Sequence, residues 1–148
     1  MKLREELTEA RSIFIDTAPF IYYVEAHPKY GRIAKEIFDS FQAKECKAFS
    51  SVFTLTEVLP KPIQVGNEQV LKKFTELFSS GDSLSLTEIT YSIAEKAGML
   101  RGKYPWLKTI DSLQLAASLN MNAKLFITND KPLKRINEIN ILILEDYV

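Results

Sequence analysis

Short apolar runs alternate with longer stretches of helical periodicity along this chain, and that alternation predicts the fold before any chemistry is considered. Ser12 to Ile15, Cys46 to Ser50, Leu84 to Ile89, Leu125 to Ile127 and Ile139 to Leu144 read as strands, too short and too β-prone for helices. Between them the apolar positions recur at helical spacing. Ile33, Ile37, Phe38 and Phe41 share one side of a helix predicted from Lys29 to Ala43. Val70, Leu71, Phe74, Leu77 and Phe78 do the same in a helix opened by Gly66 and Asn67 and closed by Ser79 to Asp82. Further helices are predicted at Lys2 to Ala10, from Thr17 to a stop at His27-Pro28, and at Ser51 to Leu59, ended by Pro60 and Pro62. Thr90 to Arg101 and Pro132 to Ile136 complete the set. Strands alternating with helices predict an α/β domain, with a mainly parallel central sheet of about five strands and helices on both faces. No repeat or linker divides residues 1–148, and 1–11 read as a charged N-terminal extension of one domain.

The stretch from Thr109 to Asp130 concentrates the chemistry. Asp111 stands where a capping or first-turn acid belongs, followed by Leu113, Leu115, Ala116, Ala117 and Leu119, a helix apolar on more than one face. A turn from Asn120 to Lys124 leads into the Leu125–Ile127 strand, and Asp130 lies just past its carboxyl end. Ligand crevices of open α/β sheets form at that end of the strands.

Composition narrows the classes. Hydrophobic content of 46% and charged content of 26% are those of an ordinary globular protein. With 19 basic and 19 acidic residues the net charge is zero, so a global positive field for nucleic acid is absent. The lone Cys46 forms no intramolecular disulfide, and His27, alone and preceding a proline, builds neither a Ser-His-Asp arrangement nor a His-based zinc site. No apolar run reaches the roughly 18 residues of a membrane span, and the charged Met1–Arg11 segment is not a signal peptide. A cytoplasmic protein with no membrane partner is the expectation. Neither a G-x-G-x-x-G nor a G-x-x-x-x-G-K-[ST] fingerprint is present.

Four acids stand at comparable places. Asp16 and Asp130 follow strands, while Glu57 and Asp111 lie on helices that follow a strand or the connecting loop. Any one of them is an ordinary cap; four in a parallel sheet can share one crevice. Clustered carboxylates repel and raise each other's pKa unless a cation joins them. Acids without His or Cys partners suit Mg²⁺ or Mn²⁺, and such ions serve phosphodiester hydrolysis.

The segments F-I-D-T-A-P-F-I-Y-Y, S-V-F-T-L-T-E-V-L, L-R-G-K-Y-P-W-L-K-T-I-D-S-L-Q-L-A-A-S-L and L-F-I-T-N-D-K, in that order and spacing, resemble the PIN-domain nucleases. They are particularly similar to the VapC-type toxins of toxin–antitoxin pairs, over about Ile13 to Leu144. Carried over by position, Asp16, Glu57, Asp111 and Asp130 correspond to the family's acidic metal-site residues. The resemblance implies a Mg²⁺- or Mn²⁺-dependent endoribonuclease leaving 5′-phosphate and 3′-hydroxyl ends, an RNA substrate, a cognate antitoxin and a homodimer. Ile110 stands where a proline commonly precedes the third acid, and the N-terminal extension is longer than in many relatives. The alternative reading is a catalytically silent PIN-like module that binds RNA or protein.

Other residues have two readings each. Thr128 and Asn129 either orient a carboxylate or water, or serve the turn. Thr17 and Ser112 read as caps. Arg101 falls where family members often carry an arginine, so it contacts phosphate or a surface acid. Lys103, Lys108, Lys131, Lys134 and Arg135 form either a basic rim or a solvated face. Phe20, Tyr22 and Tyr23 read as core or as a partner groove, and Trp106 as a packing anchor.

Overall fold

The computed structural model describes residues 2–79, 81 and 83–148. Five strands form one parallel sheet in the order β3-β2-β1-β4-β5, with β1 Ser12–Ile15, β2 Lys47–Ser51, β3 Leu84–Thr87, β4 Leu125–Thr128 and β5 Asn140–Ile143. Successive residues of a strand point to opposite faces, and both faces here are covered, which is why Ile13, Phe14 and Ile15 of β1 and Leu125, Phe126 and Ile127 of β4 are apolar without alternation.

Ile13, Ile15, Leu125 and Ile127 face one side, where they meet Leu7 of α1 (Leu3–Ala10), Phe20 of α2 (Thr17–Val24), and Ile37, Phe38 and Phe41 of α3 (Gly31–Gln42). Phe74 of α6 (Glu68–Ser79) joins this layer. Phe14 and Phe126, paired in register and stacked with ring centroids 5.5 Å apart, face the other side. There they pack on Ile93, Ala97 and Leu100 of α7 (Tyr91–Lys103) and on Leu115, Ala116 and Ala117 of α8 (Thr109–Asn120). Each fully buried Leu, Ile or Phe among them contributes roughly 1.5–3 kcal/mol. The layers therefore hold the sheet firmly beneath whatever its carboxyl ends present.

Local boundaries differ from the sequence expectations at several places, each for a backbone reason. Thr17 is the first residue of α2, and Asp16 holds the extended position before it. The Ser51 hydroxyl accepts from the Phe53 N–H and so caps α4 (Val52–Val58). Pro60 does not only stop that helix: its fixed φ opens a further short one, α5 (Pro60–Val65), which ends on Gly66 at φ 68°. Asn67 then caps α6 through its side-chain oxygen, and Thr90 caps α7 in the same way. α8 begins at Thr109 with Lys108 before it, so Asp111 is a first-turn acid, not the cap. Ser112 is not a cap either; its hydroxyl donates to the Thr109 carbonyl. The segment after β4 is a 3₁₀ turn, Lys131–Arg135. Of the predicted close of α6, Ser80 and Asp82 lie outside the described residues.

The N-terminal helix is docked. Leu3 and Leu7 are buried, Arg4 donates twice to Glu45 at 2.7 and 2.9 Å, and the Tyr147 hydroxyl donates to Glu6. Among the described residues no helix is long and apolar enough to cross a membrane.

Candidate active site

Strand order decides where a crevice opens. β1 and β4 are neighbours, yet the chain leaves them toward opposite faces: Phe20 of α2 packs on one side and Leu133 of the 3₁₀ turn on the other. The carboxyl ends of these two strands therefore frame a gap, as switch points in parallel sheets do.

Asp16 lies at the β1 side of that gap, its N–H held by the Ile127 carbonyl at 2.9 Å. Thr128, last residue of β4 and 1% exposed, donates its hydroxyl to Asp16 Oδ2 at 2.9 Å and accepts the Asp130 N–H at 3.1 Å. One buried hydroxyl thus couples the two strand-end acids. On the other flank the Thr17 hydroxyl donates to Glu57 Oε1 at 2.5 Å, joining α2 to α4. Asp111 enters from the first turn of α8. All four acids line one cleft of about 360 Å³, together with Thr17, Ala18, Ile21, Tyr22, Thr128 and Asn129.

The electrostatics are those of acids brought together. Burial pushes the Asp16 carboxyl above the usual carboxylate range, and the charges of Glu57 and Asp130 add to it. Hydrogen bonding from the Thr17 backbone and the Thr128 hydroxyl offsets part of this. Asp111 is pushed up to about 6, by burial first and then by Asp16 and Asp130, with Lys108 opposing. Among the described residues, no three His, Cys, Asp or Glu side chains already close on a single point. The donor set nevertheless fits a hard divalent ion: every polar side-chain group lining the cleft offers oxygen, and two acids are held in a state that added positive charge would relieve.

Several sequence-level candidates are placed otherwise. Arg101 does not line this cleft; its Nε donates to the Leu107 carbonyl at 3.2 Å, bracing the loop before α8. Of the expected basic rim, Lys103 pairs with Glu138 at 2.7 Å, Lys134 with Asp146 at 4.0 Å, and Arg135 covers the Trp106 ring at 4.5 Å. Thr17 binds Glu57 where a cap was expected. Asn129 joins the Tyr22 hydroxyl at 3.3 Å to the Glu145 N–H at 3.0 Å, and so ties the turn after β4 to α2 and the chain's end. Tyr22, Ala18 and Ile21 were not singled out as cleft residues. Their signal was present: they fall within the first two turns of the helix that starts at Asp16 and Thr17.

A larger cleft, about 920 Å³, lies away from the acids between α3 and α6, lined by Tyr23, His27, Arg32, Lys35 and Lys73 among others. His27 is occupied structurally, its Nδ1 accepting the Lys29 and Tyr30 N–H groups at 3.0 and 3.1 Å.

Comparison with known proteins follows this geometry. No curated protein matches the chain by sequence. Among solved structures it is similar to VapBC2 from Rickettsia felis, bound to a DNA fragment from its promoter, with a TM-score of 0.64 and 18% identity over 89% of this chain and 98% of that one. A toxin–antitoxin complex from Klebsiella pneumoniae gives 0.66 and 19% over 89% and 97%. VapC20 of Mycobacterium tuberculosis, a sarcin-ricin loop cleaving toxin, gives 0.66 and 15% over 86% and 98%. At these identities the likeness shows the fold. The model of the PIN domain matches residues 13–139, which takes in both strand-end acids and both helix acids, and the chain therefore belongs to the PIN-domain family.

Proposed function

We propose that this chain is a Mg²⁺- or Mn²⁺-dependent endoribonuclease of the VapC kind, the toxin of a toxin–antitoxin pair. The observation that carries the reading is the meeting of Asp16, Glu57, Asp111 and Asp130 in one cleft at the strand-order switch. Family membership and the likeness to toxin–antitoxin structures support it. RNA is its substrate, an antitoxin its protein partner, a homodimer its assembly and the cytoplasm its place of action.

Asp16, Asp111 and Asp130 would hold the ion with Glu57. Closing the four on one point takes rotamer changes, least costly for Glu57, which is exposed at the rim. When bound, the ion supplies positive charge for the scissile phosphate and a more acidic water. The chain's own groups do the positioning. Thr128 holds Asp16 in place through Oδ2. Thr17 does the same for Glu57. The buried strand ends beneath them exclude water from one side of the site.

Asp16→Asn tests this directly. Metal-dependent RNA cleavage should disappear, a larger loss than the roughly 10–100-fold that follows removal of an outer partner of a metal ligand. Millimolar Mn²⁺ should raise the melting temperature of the unaltered protein, by linkage, and not that of the variant. Full cleavage by Asp16→Asn would overturn the reading.

A further inference from the structure

Beneath the cleft lies a chain of polar side chains that the acids do not explain. Ser50, Ser51, Thr54 and Gln114 are all 0% exposed, in a part of the core where apolar residues would serve for packing. Ser50 Oγ donates to the Ile15 carbonyl at 2.8 Å and lies 2.8 Å from Thr54 Oγ1. Gln114 Nε2 donates to Thr54 Oγ1 at 3.0 Å, and the Ser51 hydroxyl donates to Gln114 Oε1.

The proton inventory gives this chain a single direction. The Ser50 hydroxyl spends its one proton on the Ile15 carbonyl, so Thr54 must donate to Ser50. Thr54 in turn accepts from the Gln114 amide, whose oxygen is taken up by Ser51. Ser51 accepts the Phe53 N–H at 3.2 Å. Each hydroxyl both donates and accepts, and among the described residues no buried side-chain nitrogen or oxygen lacks a partner. A closed network of this kind specifies one arrangement, because a slip leaves a buried group unpaired at a cost of about 1–3 kcal/mol.

Its connections coincide with the acids. Ile15 directly precedes Asp16. Thr54 lies three residues before Glu57 on α4, and Gln114 three residues after Asp111 on α8, each pair on one helical face. From α8, the Gln114 side chain reaches across to Thr54 of α4 and Ser51 of β2, whereas the Ser112 and Ser118 hydroxyls bond within their own helix. Asp130, the remaining acid, is already tied to Asp16 through Thr128.

We propose that the Ser50–Thr54–Gln114–Ser51 network is the gauge that sets the spacing of Asp16, Glu57 and Asp111, with Thr54 and Gln114 as positioning residues for a divalent ion. The inference rests on the reading of the cleft as an ion site. Apolar contacts alone tolerate sliding of one helix along another. Ligand oxygens about 2.0–2.1 Å from a magnesium-sized ion do not.

Three substitutions, read by calorimetric titration with Mn²⁺, test it. Thr54→Val keeps the volume and removes the hydroxyl; Mn²⁺ affinity should fall by about tenfold or more. Thr54→Ser keeps the hydroxyl and loses a methyl group; it should lower the melting temperature yet bind Mn²⁺ as the unaltered protein does. Gln114→Leu should behave as Thr54→Val. If the network only supports the core, affinity will be unchanged in all three, or will follow the loss of stability with Thr54→Ser impaired as well; either result overturns the proposal. If the unaltered protein binds no Mn²⁺, the ion-site reading falls and this inference with it. Should Gln114→Leu fail to fold, the Thr54 pair decides alone.

Discussion

Two of this protein's clefts differ in every respect that matters for function. That between α3 and α6 is the larger, about 920 Å³ against 360 Å³, and is lined by Tyr23, His27, Arg32, Lys35 and Lys73 among others, with Glu76 the single acid among the described residues. The smaller one holds four acids from separate parts of the chain, Glu57 and Asp111 on helices and Asp16 and Asp130 within two residues of the ends of buried strands. Chemistry follows from where rigid strands end, since such ends hold side chains in place against their own repulsion. The acid cleft is accordingly the strained one, and its strain has a measurable signature.

Asp111→Asn should break this contrast most completely. It should abolish RNA cleavage, and it should change how stability depends on pH. In the folded protein Asp111 titrates at about 6, against an ordinary 3.8, so the folded state holds its proton more tightly than the unfolded chain. The stabilisation from this group is fully present below about pH 4 and is lost as pH rises through 6. Without divalent ions the melting temperature should therefore drop across that window. The drop should be smaller in Asp111→Asn, and Mn²⁺ should offset it in the unaltered protein. Parallel melting curves for protein and variant would contradict the assignment.

A smaller effect is expected from Thr128→Val, a change of nearly constant volume. It removes the donor to Asp16 and the acceptor for the Asp130 N–H at a site 1% exposed. Loss of about 1–3 kcal/mol of stability is expected, with cleavage down roughly 10–100-fold. Chemical denaturation and single-turnover cleavage measure the two separately. Smallest of all, Tyr23→Leu in the larger cleft should leave cleavage unchanged. It forfeits the ring stacked on Phe38 at 4.2 Å, so the melting temperature should fall by a few degrees. A large loss of cleavage there would mean that the two clefts are coupled.

Much of the fold could be read from the chain because its signals are local. β1 appears at Ser12–Ile15 as expected, and the α1, α3 and α7 helices differ from expectation by a residue or two at their ends. Those ends depend on individual caps such as Thr90 and Asn67, which compete with neighbouring Ser, Thr and Asn for the same backbone groups. Pro60 shows the limit: a proline ends one helix and begins another with equal ease, and here it begins α5, on which Pro62 is buried. Thr17 and Ser112 looked alike in sequence, each following an acid. One reaches Glu57 and the other its own helix, a difference decided by what lies across from them.

The identities and order of the acids, the alternation of strands with helices, and the absence of His, Cys or nucleotide-loop chemistry were decided by the sequence alone. These depend on side-chain type and short-range periodicity. That Asp16, Glu57, Asp111 and Asp130 face one gap, that Arg101 does not join them, and that Gln114 lies beneath them were decided by the tertiary structure. Those outcomes depend on strand order and on contacts between residues as far apart as Ser51 and Gln114, which no local pattern encodes.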